Sequence, residues 1–529
     1  MKKTDLMPQV IARISSVIPP LCIFLCFQTS VFASEQYDLV ILNGRVMDPQ
    51  TNFDAKRNVG VKDGKIVSIT KDKIKGKEVI NAKGHVVAPG FIDTHVHVVD
   101  IPFAQKLMLR DGVTTPLDLE VGAYPVTRFY DTLNGRSQAN YGATVSTIGA
   151  REKVFNPKYD STTGNFVADL EITSEQSFVD MKWSATVPTA DQIKQINQLI
   201  EEGLKQGALG VGVPVGYMVD GVTSQETTAW QRLAGKYGRA TFLHARFSSQ
   251  QPPTTGILSF EEMIANAGIY GGGVLLQHMH QQALGLTSPA LDMVDDARAN
   301  GLSVAAEIYP YNYGATIVGA DYLKPDNYGP NMGRDYKDII EISTMKPLTK
   351  DRYDKLVKSA PSTAVMFYGA KEEDLYAGLA HPGTTVASDA FPLTVTKTGK
   401  TATDWDTPYD AVQGHPRLAG TNAIVLRLVR EKKLMPLMTA ISKMTYLPAR
   451  FLQDNGVAQM AFKGRIQPGA DADITIFDPK TVQDNSTQQK AGLPSTGIPY
   501  VIVNGTVVVK DSKVLKGVYP GKPIRLPVM

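Results

Sequence analysis

Residues 88–100, A-P-G-F-I-D-T-H-V-H-V-V-D, put two histidines at the end of an apolar strand. Residues 84–88 read as a first short strand, Pro89-Gly90 breaks it, and Phe91-Ile92 begin a second that ends on His95 and His97. Alternate side chains of a strand point the same way, so both imidazoles aim at one point. Neutral imidazole is a good ligand for zinc or a similar divalent ion. A lone H-x-H is common by chance and usually belongs to a surface strand or a packed pair. The context changes that balance. An apolar strand that stops on polar, metal-competent residues is how a (β/α)8 barrel presents chemistry at its C-terminal rim. The reading therefore requires further ligands at later strand ends.

The rest of the chain has the texture such a barrel needs. Residues 37–88 alternate short strands and turns, with Asn43-Gly44 and Asp63-Gly64 as hairpin signals. The same texture returns at 472–478 and 500–509. Two strand-rich ends predict one small β-sandwich built from 34–88 plus 460–529. Between them, 89–459 alternates apolar strands with amphipathic helices. The clearest helix, 190–206, carries Ile193, Ile196, Leu199, Ile200 and Leu204 on one face and is followed by a strand at 208–215. A helix at 291–300 precedes a strand at 303–309, and 423–431 and 437–444 are helical. This is an α/β chain, and the number of units predicts a closed (β/α)8 TIM-type barrel. Residues 321–361 are rich in Tyr and Lys and irregular, and read as an insertion or lid over the rim.

Composition narrows the partners. Net charge is +3, and no block of Lys and Arg is interleaved with aromatics, which argues against nucleic acid. In 1–33, Lys2, Lys3 and Arg13 precede an apolar run at 21–27, and Val31-Phe32-Ala33 sits where a signal peptidase reads. The segment predicts a signal peptide cleaved near Ala33 and export, to the periplasm or beyond. Its apolar run is too short for a comfortable membrane span, so no stable membrane anchor is expected. Both cysteines, Cys22 and Cys26, lie within it, leaving the mature chain without disulfide or thiolate. A homo-oligomer is left open.

Four later strand ends supply candidates. T-T-P-L-D-L-E at 114–120 ends on Glu120, 240–244 ends on His244, and 274–278 ends on His278 with His280 beyond it. T-T-V-A-S-D at 384–389 ends on Asp389. Each alone has a plain explanation, such as a hydrogen-bonded core histidine or an Asp capping the next helix. Together, imidazoles and carboxylates at successive strand ends point to a metal centre.

This constellation resembles the amidohydrolase superfamily, and within it the N-acyl-D-amino-acid deacylase family of D-aminoacylases and N-acyl-D-glutamate deacylases. The resemblance is carried by P-G-F-I-D-T-H-V-H at 89–97, G-A-L-G-V-G-V-P-V-G-Y at 207–217 and A-A-E-I-Y-P-Y at 305–311. It continues in A-S-D-A-F-P at 387–392, H-P-R-L-A-G-T at 415–421, G-A-D-A-D-I-T-I-F-D-P at 469–479 and Y-V-I-V-N-G at 500–505. Many superfamily members carboxylate a lysine on the fourth strand, and this chain has none there; Lys182 lies nearby but outside that strand. The family commonly places a metal-binding Cys near the end of the second or third strand, where this chain has Glu120, a carboxylate able to bridge two metals. It often has a Lys two residues after the sixth-strand His, where this chain has His280.

The resemblance implies a metal-dependent hydrolase acting on the amide bond of N-acyl-D-amino acids, with a divalent ion, zinc first, present as one or two per chain. His95, His97, Glu120, His244 and His278 would be ligands, and Asp389 would touch the metal or its water. Metal-bound hydroxide would attack, with Asp389 as general base and then acid. Arg417 matches the family's carboxylate-binding arginine, Tyr217 and Tyr309 its substrate-contacting tyrosines, and His280 would add a donor. Arg246 and Lys324 read as spare cations that could meet a second carboxylate, as in N-acyl-D-glutamate; an exposed cation with no specific role fits equally well. Competing readings are a cyclic amide hydrolase (dihydroorotase-like) or dipeptidase on the same scaffold, and a non-catalytic binding relative.

Overall fold

The computed structural model describes residues 36–167, 182–251 and 255–529. The expected signal peptide, with Cys22 and Cys26, lies outside the described residues. Among those described, no helix is long and apolar enough to cross a membrane.

Eight parallel strands follow one another in sequence order around the barrel. They are Phe91–Asp93, Val113–Ala123, Gly142–Ser146, Gly210–Pro214, Ala240–His244, Val274–Leu276, Val304–Ile308 and Thr384–Val386. These segments are buried along their whole length, which explains their near-continuous apolar character. Helices cover the outside. Ala190–Lys205 begins on a Thr189–Gln192 capping box, an N-terminal device worth about 1 kcal/mol, and buries Ile193, Ile196, Ile200 and Leu204. Leu199, expected on the same face, is partly exposed at its edge.

The first and last strands meet through a single parallel bridge between Val96 and Ala390. The Ala390 N–H donates to the His95 carbonyl at 3.2 Å, and the His97 N–H donates to the Ala390 carbonyl at 3.0 Å. The barrel seam therefore closes on the H-x-H pair itself. The strand proper ends at Asp93, and His95 and His97 follow it in a bent segment tied down by isolated bridges at His95 and Val96.

The terminal strands of both chain ends are joined in one nine-stranded hydrogen-bonded sheet. Val86–Pro89 pairs in parallel with Tyr37–Asp48 on one side and antiparallel with Ile474–Phe477 on the other, so no break separates the two ends of the chain. Leu39, Ile41 and Val59 share one apolar cluster with Ile474, Ile476 and Ile502.

The irregular stretch expected at 321–361 is also ordered, and its bounds widen. Tyr313–Ile317, Ala364–Tyr368, Ile339–Glu341 and Lys346–Pro347 make a four-stranded antiparallel sheet, in that order. The helix Lys350–Ser359 packs with it, and Tyr322, Tyr328, Tyr353, Leu356 and Phe367 build a separate core. The tyrosines that made the segment look irregular are its interior. It sits between the seventh and eighth barrel strands, so its inner face walls the rim.

Candidate metal centre at the barrel rim

Glu120 is the hub. Its Oε2 lies 3.2 Å from His95 Nε2 and 3.3 Å from His97 Nε2, while its Oε1 lies 2.9 Å from His244 Nδ1 and 3.1 Å from His278 Nε2. Asp389 Oδ1 completes the first side at 3.3 Å from each of the His95 and His97 Nε2 atoms. All six side chains are buried. One carboxylate thus divides two imidazole pairs, the arrangement a bridging ligand requires. The groups His95–Glu120–His278 and His95–His97–Asp389 each bring their donor atoms close enough to share an ion.

Local structure explains the aim of each ligand. The strand Val113–Ala123 runs past Glu120, and its pairing with the third strand jumps between Asp118 and Ala123. Such an irregularity re-aims side chains, here turning Glu120 inward. His278 and Asp389 follow their strands in the left-handed region, at φ 33° and φ 54°. Non-glycine residues held there cost about 1–3 kcal/mol each and gather at functional sites. Gly216 is needed for a different reason: a Cβ there would lie 2.2 Å from His244 Cδ2, so a side chain would displace the ligand.

The donor set fits a divalent ion. His95 Nε2 has no hydrogen-bond partner among the described residues although it is buried and faces two carboxylates. Burial alone would lower the His95 imidazole, but Asp389, Glu307 and Glu120 outweigh it and raise it to about 10. Burial would likewise raise Glu120, yet His95, His244 and His278 hold it well below the usual carboxylate range. Protons on His95 and His97, both raised by the carboxylates around them, therefore offset that negative charge, and ligands must shed such protons to bind metal. Imidazole with carboxylate suits zinc and its neighbours.

Glu307 was not singled out by sequence reasoning. Its Oε1 lies 2.8 Å from His95 Nδ1, its Oε2 accepts from Thr94 Oγ1 at 3.1 Å, and it is fully buried. It fixes the ring of the central histidine from behind, as outer carboxylates do in metal sites. The available signal was a charged residue inside the apolar strand V-A-A-E-I. Glu307→Gln is expected to weaken metal affinity about 10–100-fold with the fold intact, measured by competition against a chromophoric chelator. Asp118, 3.7 Å from His97 Nδ1, was missed for the same reason.

Asp389 faces both ways. Its Oδ2 lies 2.7 Å from Arg417 Nη1, on the side away from the histidines. Burial would raise this carboxyl, but Arg417 first, then His95 and His97, keep it well below its ordinary value. Arg417 is itself buried, stacks over Tyr309 with its guanidinium carbon 5.3 Å from the ring centroid, and donates from Nη2 to the Ala315 carbonyl at 3.2 Å. Its backbone N–H donates to His415 Nδ1 at 3.1 Å, so the His of H-P-R, which sequence reasoning passed over, orients the Arg.

Two recesses flank the cluster. The smaller, about 20 Å³, is walled by Tyr217, Tyr309, Tyr322 and Phe367 with His244, His278 and Asp389. Tyr322, from the turn Asp321–Leu323 within the insertion, stacks on His244 with ring centroids 5.3 Å apart and also went unread. The larger, about 530 Å³, opens beside His97.

Three expected substrate cations or donors are placed elsewhere. Arg246 is bound by Glu262 at 3.1 Å through both Nε and Nη2, and donates to the Val222 carbonyl, so it is not spare. Lys324 is paired with Asp220 and Asp321 at 2.5 and 2.8 Å. His280 is buried, lies 3.0 Å through Nε2 from the Tyr311 carbonyl and packs its ring edge-on to Tyr309, behind the recess. Burial pushes its imidazole down to about 3, which keeps it neutral.

Buried imidazoles and carboxylates at the C-terminal rim of a (β/α)8 barrel define the site of a metal-dependent hydrolase. The chain belongs to the amidohydrolase family, whose sequence pattern matches residues 170–509. It is 28% identical over 501 residues to the N-acyl-D-glutamate deacylase of Alcaligenes xylosoxydans xylosoxydans, covering 90% of this chain and 94% of that one. Over 521 residues it is 26% identical to the D-aminoacylase of the same organism, covering 90% and 96%. The fold is that of the N-acyl-D-glutamate deacylase from Bordetella bronchiseptica, solved with zinc and a phosphonate mimic of the tetrahedral intermediate. That likeness has a TM-score of 0.72 at 24% identity, over 93% of this chain and 100% of the other.

Proposed function

We propose that the protein is a metal-dependent deacylase that hydrolyses the amide bond of N-acyl-D-amino acids to a carboxylate and a free D-amino acid. His95, His97, Glu120, His244, His278 and Asp389 would hold one or two divalent ions, zinc first. Such an ion, when bound, acidifies a water and polarises the scissile carbonyl.

The chain's own groups do the rest. The observation that carries the reading is Asp389, with one oxygen against the histidine cluster and the other against Arg417. Arg417 keeps the carboxylate ionised and turned toward the cluster, so Oδ1 can take the proton of the attacking water and pass it to the departing nitrogen. The guanidinium keeps a donor in reserve, because its Nε has no hydrogen-bond partner among the described residues. That donor can hold the substrate α-carboxylate beside Tyr309, with Tyr217 across the recess.

A panel of N-acetyl-D- and L-amino acids, a dipeptide and dihydroorotate tests the assignment. D-selective release of amino acid supports it. Turnover confined to the dipeptide or the cyclic amide would keep the site and overturn the substrate.

We also infer export, from the charged and apolar pattern of 1–33. Protein recovered from the periplasm or medium should begin at or near Ser34 by intact mass, and an unprocessed Met1 would contradict this.

A further inference from the structure

The large cavity beside His97 is out of scale with a small acyl group. Its volume of about 530 Å³ falls among pockets of about 300–1,000 Å³ that hold drug-sized ligands. Val121, Ile148, Phe166, Trp183, Ile317 and Phe391 are among its lining residues. Phe166 and Trp183 are almost fully buried, so this surface is shaped by the core rather than by exposed side chains. Apart from His97, the charged groups among its described lining residues are Glu341 and Arg352. These are joined by bonds of 2.9 and 2.7 Å, Arg352 Nε and Nη2 each donating to one Glu341 oxygen. The cavity therefore offers an apolar stretch over Val121, Ile148, Phe166, Trp183 and Phe391, beside seven Ser and Thr residues, with its carboxylate and guanidinium already paired to each other.

The two recesses also order the substrate. Arg417 donates to the carbonyl of Ala315, a residue of the small recess, so the carboxylate end belongs there. The scissile carbon must lie at the histidine cluster between the recesses. The acyl arm, on the far side of that carbon, is then directed over His97 into the large cavity. An acetyl methyl would leave nearly all of that space empty.

Resting on the deacylase reading above, we propose that the preferred substrates carry a long aliphatic N-acyl chain, seated in the cavity between Val121, Phe166, Trp183 and Phe391. Each methylene moved from water into that interior should raise kcat/KM about three- to fourfold, chiefly through KM.

The test uses the zinc-loaded full-length mature enzyme and one amino acid, with N-acetyl-, N-hexanoyl- and N-decanoyl-D-leucine kept below their aggregation thresholds. The expected result is a rise on the order of 10²-fold in kcat/KM from acetyl to hexanoyl, with decanoyl at least as good. Ala364→Phe, which narrows the cavity wall, should cut the decanoyl-to-acetyl ratio at least about tenfold whatever it does to overall rate. Turnover of the acetyl compound with a flat or falling chain-length series would overturn the inference and leave the deacylase reading standing. No turnover of any of the three, or of the other N-acyl-D-amino acids, would remove the reading and the inference together.

Discussion

Replacing Glu120 with alanine is expected to strip the centre of metal and lower kcat/KM on the order of 10³-fold or more. Its two oxygens are the shared contact of four imidazoles, Oε2 for His95 and His97 and Oε1 for His244 and His278. Outer carboxylates cost about 10–100-fold in metal affinity when lost, and a shared inner one must cost more. A bound ion supplies several kcal/mol of charge stabilisation, each 1.36 kcal/mol being tenfold in rate. Metal per chain by mass spectrometry and turnover of the best substrate would fall together. Glu120→Cys is the informative companion, because a thiolate is a good zinc ligand. It should recover a substantial part of both metal and activity, whereas Glu120→Gln should recover little. Equal metal content in Glu120→Ala and the parent would contradict the bridging role.

Asp389→Asn separates proton transfer from metal holding. The isosteric amide can still meet Arg417 but cannot accept the water's proton, so kcat should fall about 10²–10⁴-fold. Metal held by His244, His278 and Glu120 should remain. The variant also leaves the buried Arg417 without its counter-charge, and breaking a buried pair in this way costs about 3–5 kcal/mol at most sites. Asp389→Asn should therefore melt earlier than the parent, and Asp389→Asn with Arg417→Met should recover stability without recovering activity. A single variant that melts normally would mean the pair contributes little.

The candidate metal centre was legible because buried parallel strands are apolar throughout and polar residues appear where they end. His95, His97, Glu120, His244, His278 and Asp389 converge as those strand ends predicted. What lay behind them was harder to read. Glu307 sits within a strand rather than at its end, so a search of strand ends passes over it, though a carboxylate in V-A-A-E-I has few reasons to be buried there. His415 and Tyr322 act through neighbours brought together by folding, which no local pattern records.

Arg246 shows the opposite error. It directly follows His244, and its partner Glu262 comes from the next helix, 16 residues on. Proximity in sequence to a ligand suggested a substrate contact, but a nearer carboxylate claimed the guanidinium. With Lys324 also paired, neither cation remains to argue for an acidic substrate side chain. The inserted sheet was unreadable for a physical reason as well: its strands are two to five residues long, too short for alternation to stand out.

The most direct test of the account is zinc titration of chelator-stripped protein, following hydrolysis of N-acetyl-D-leucine and its L enantiomer against metal bound per chain. Activity that is absent at the start, appears with bound zinc and is confined to the D enantiomer is the predicted result. Undiminished activity in the stripped protein, or zinc-restored turnover of dihydroorotate with neither enantiomer cleaved, would contradict it.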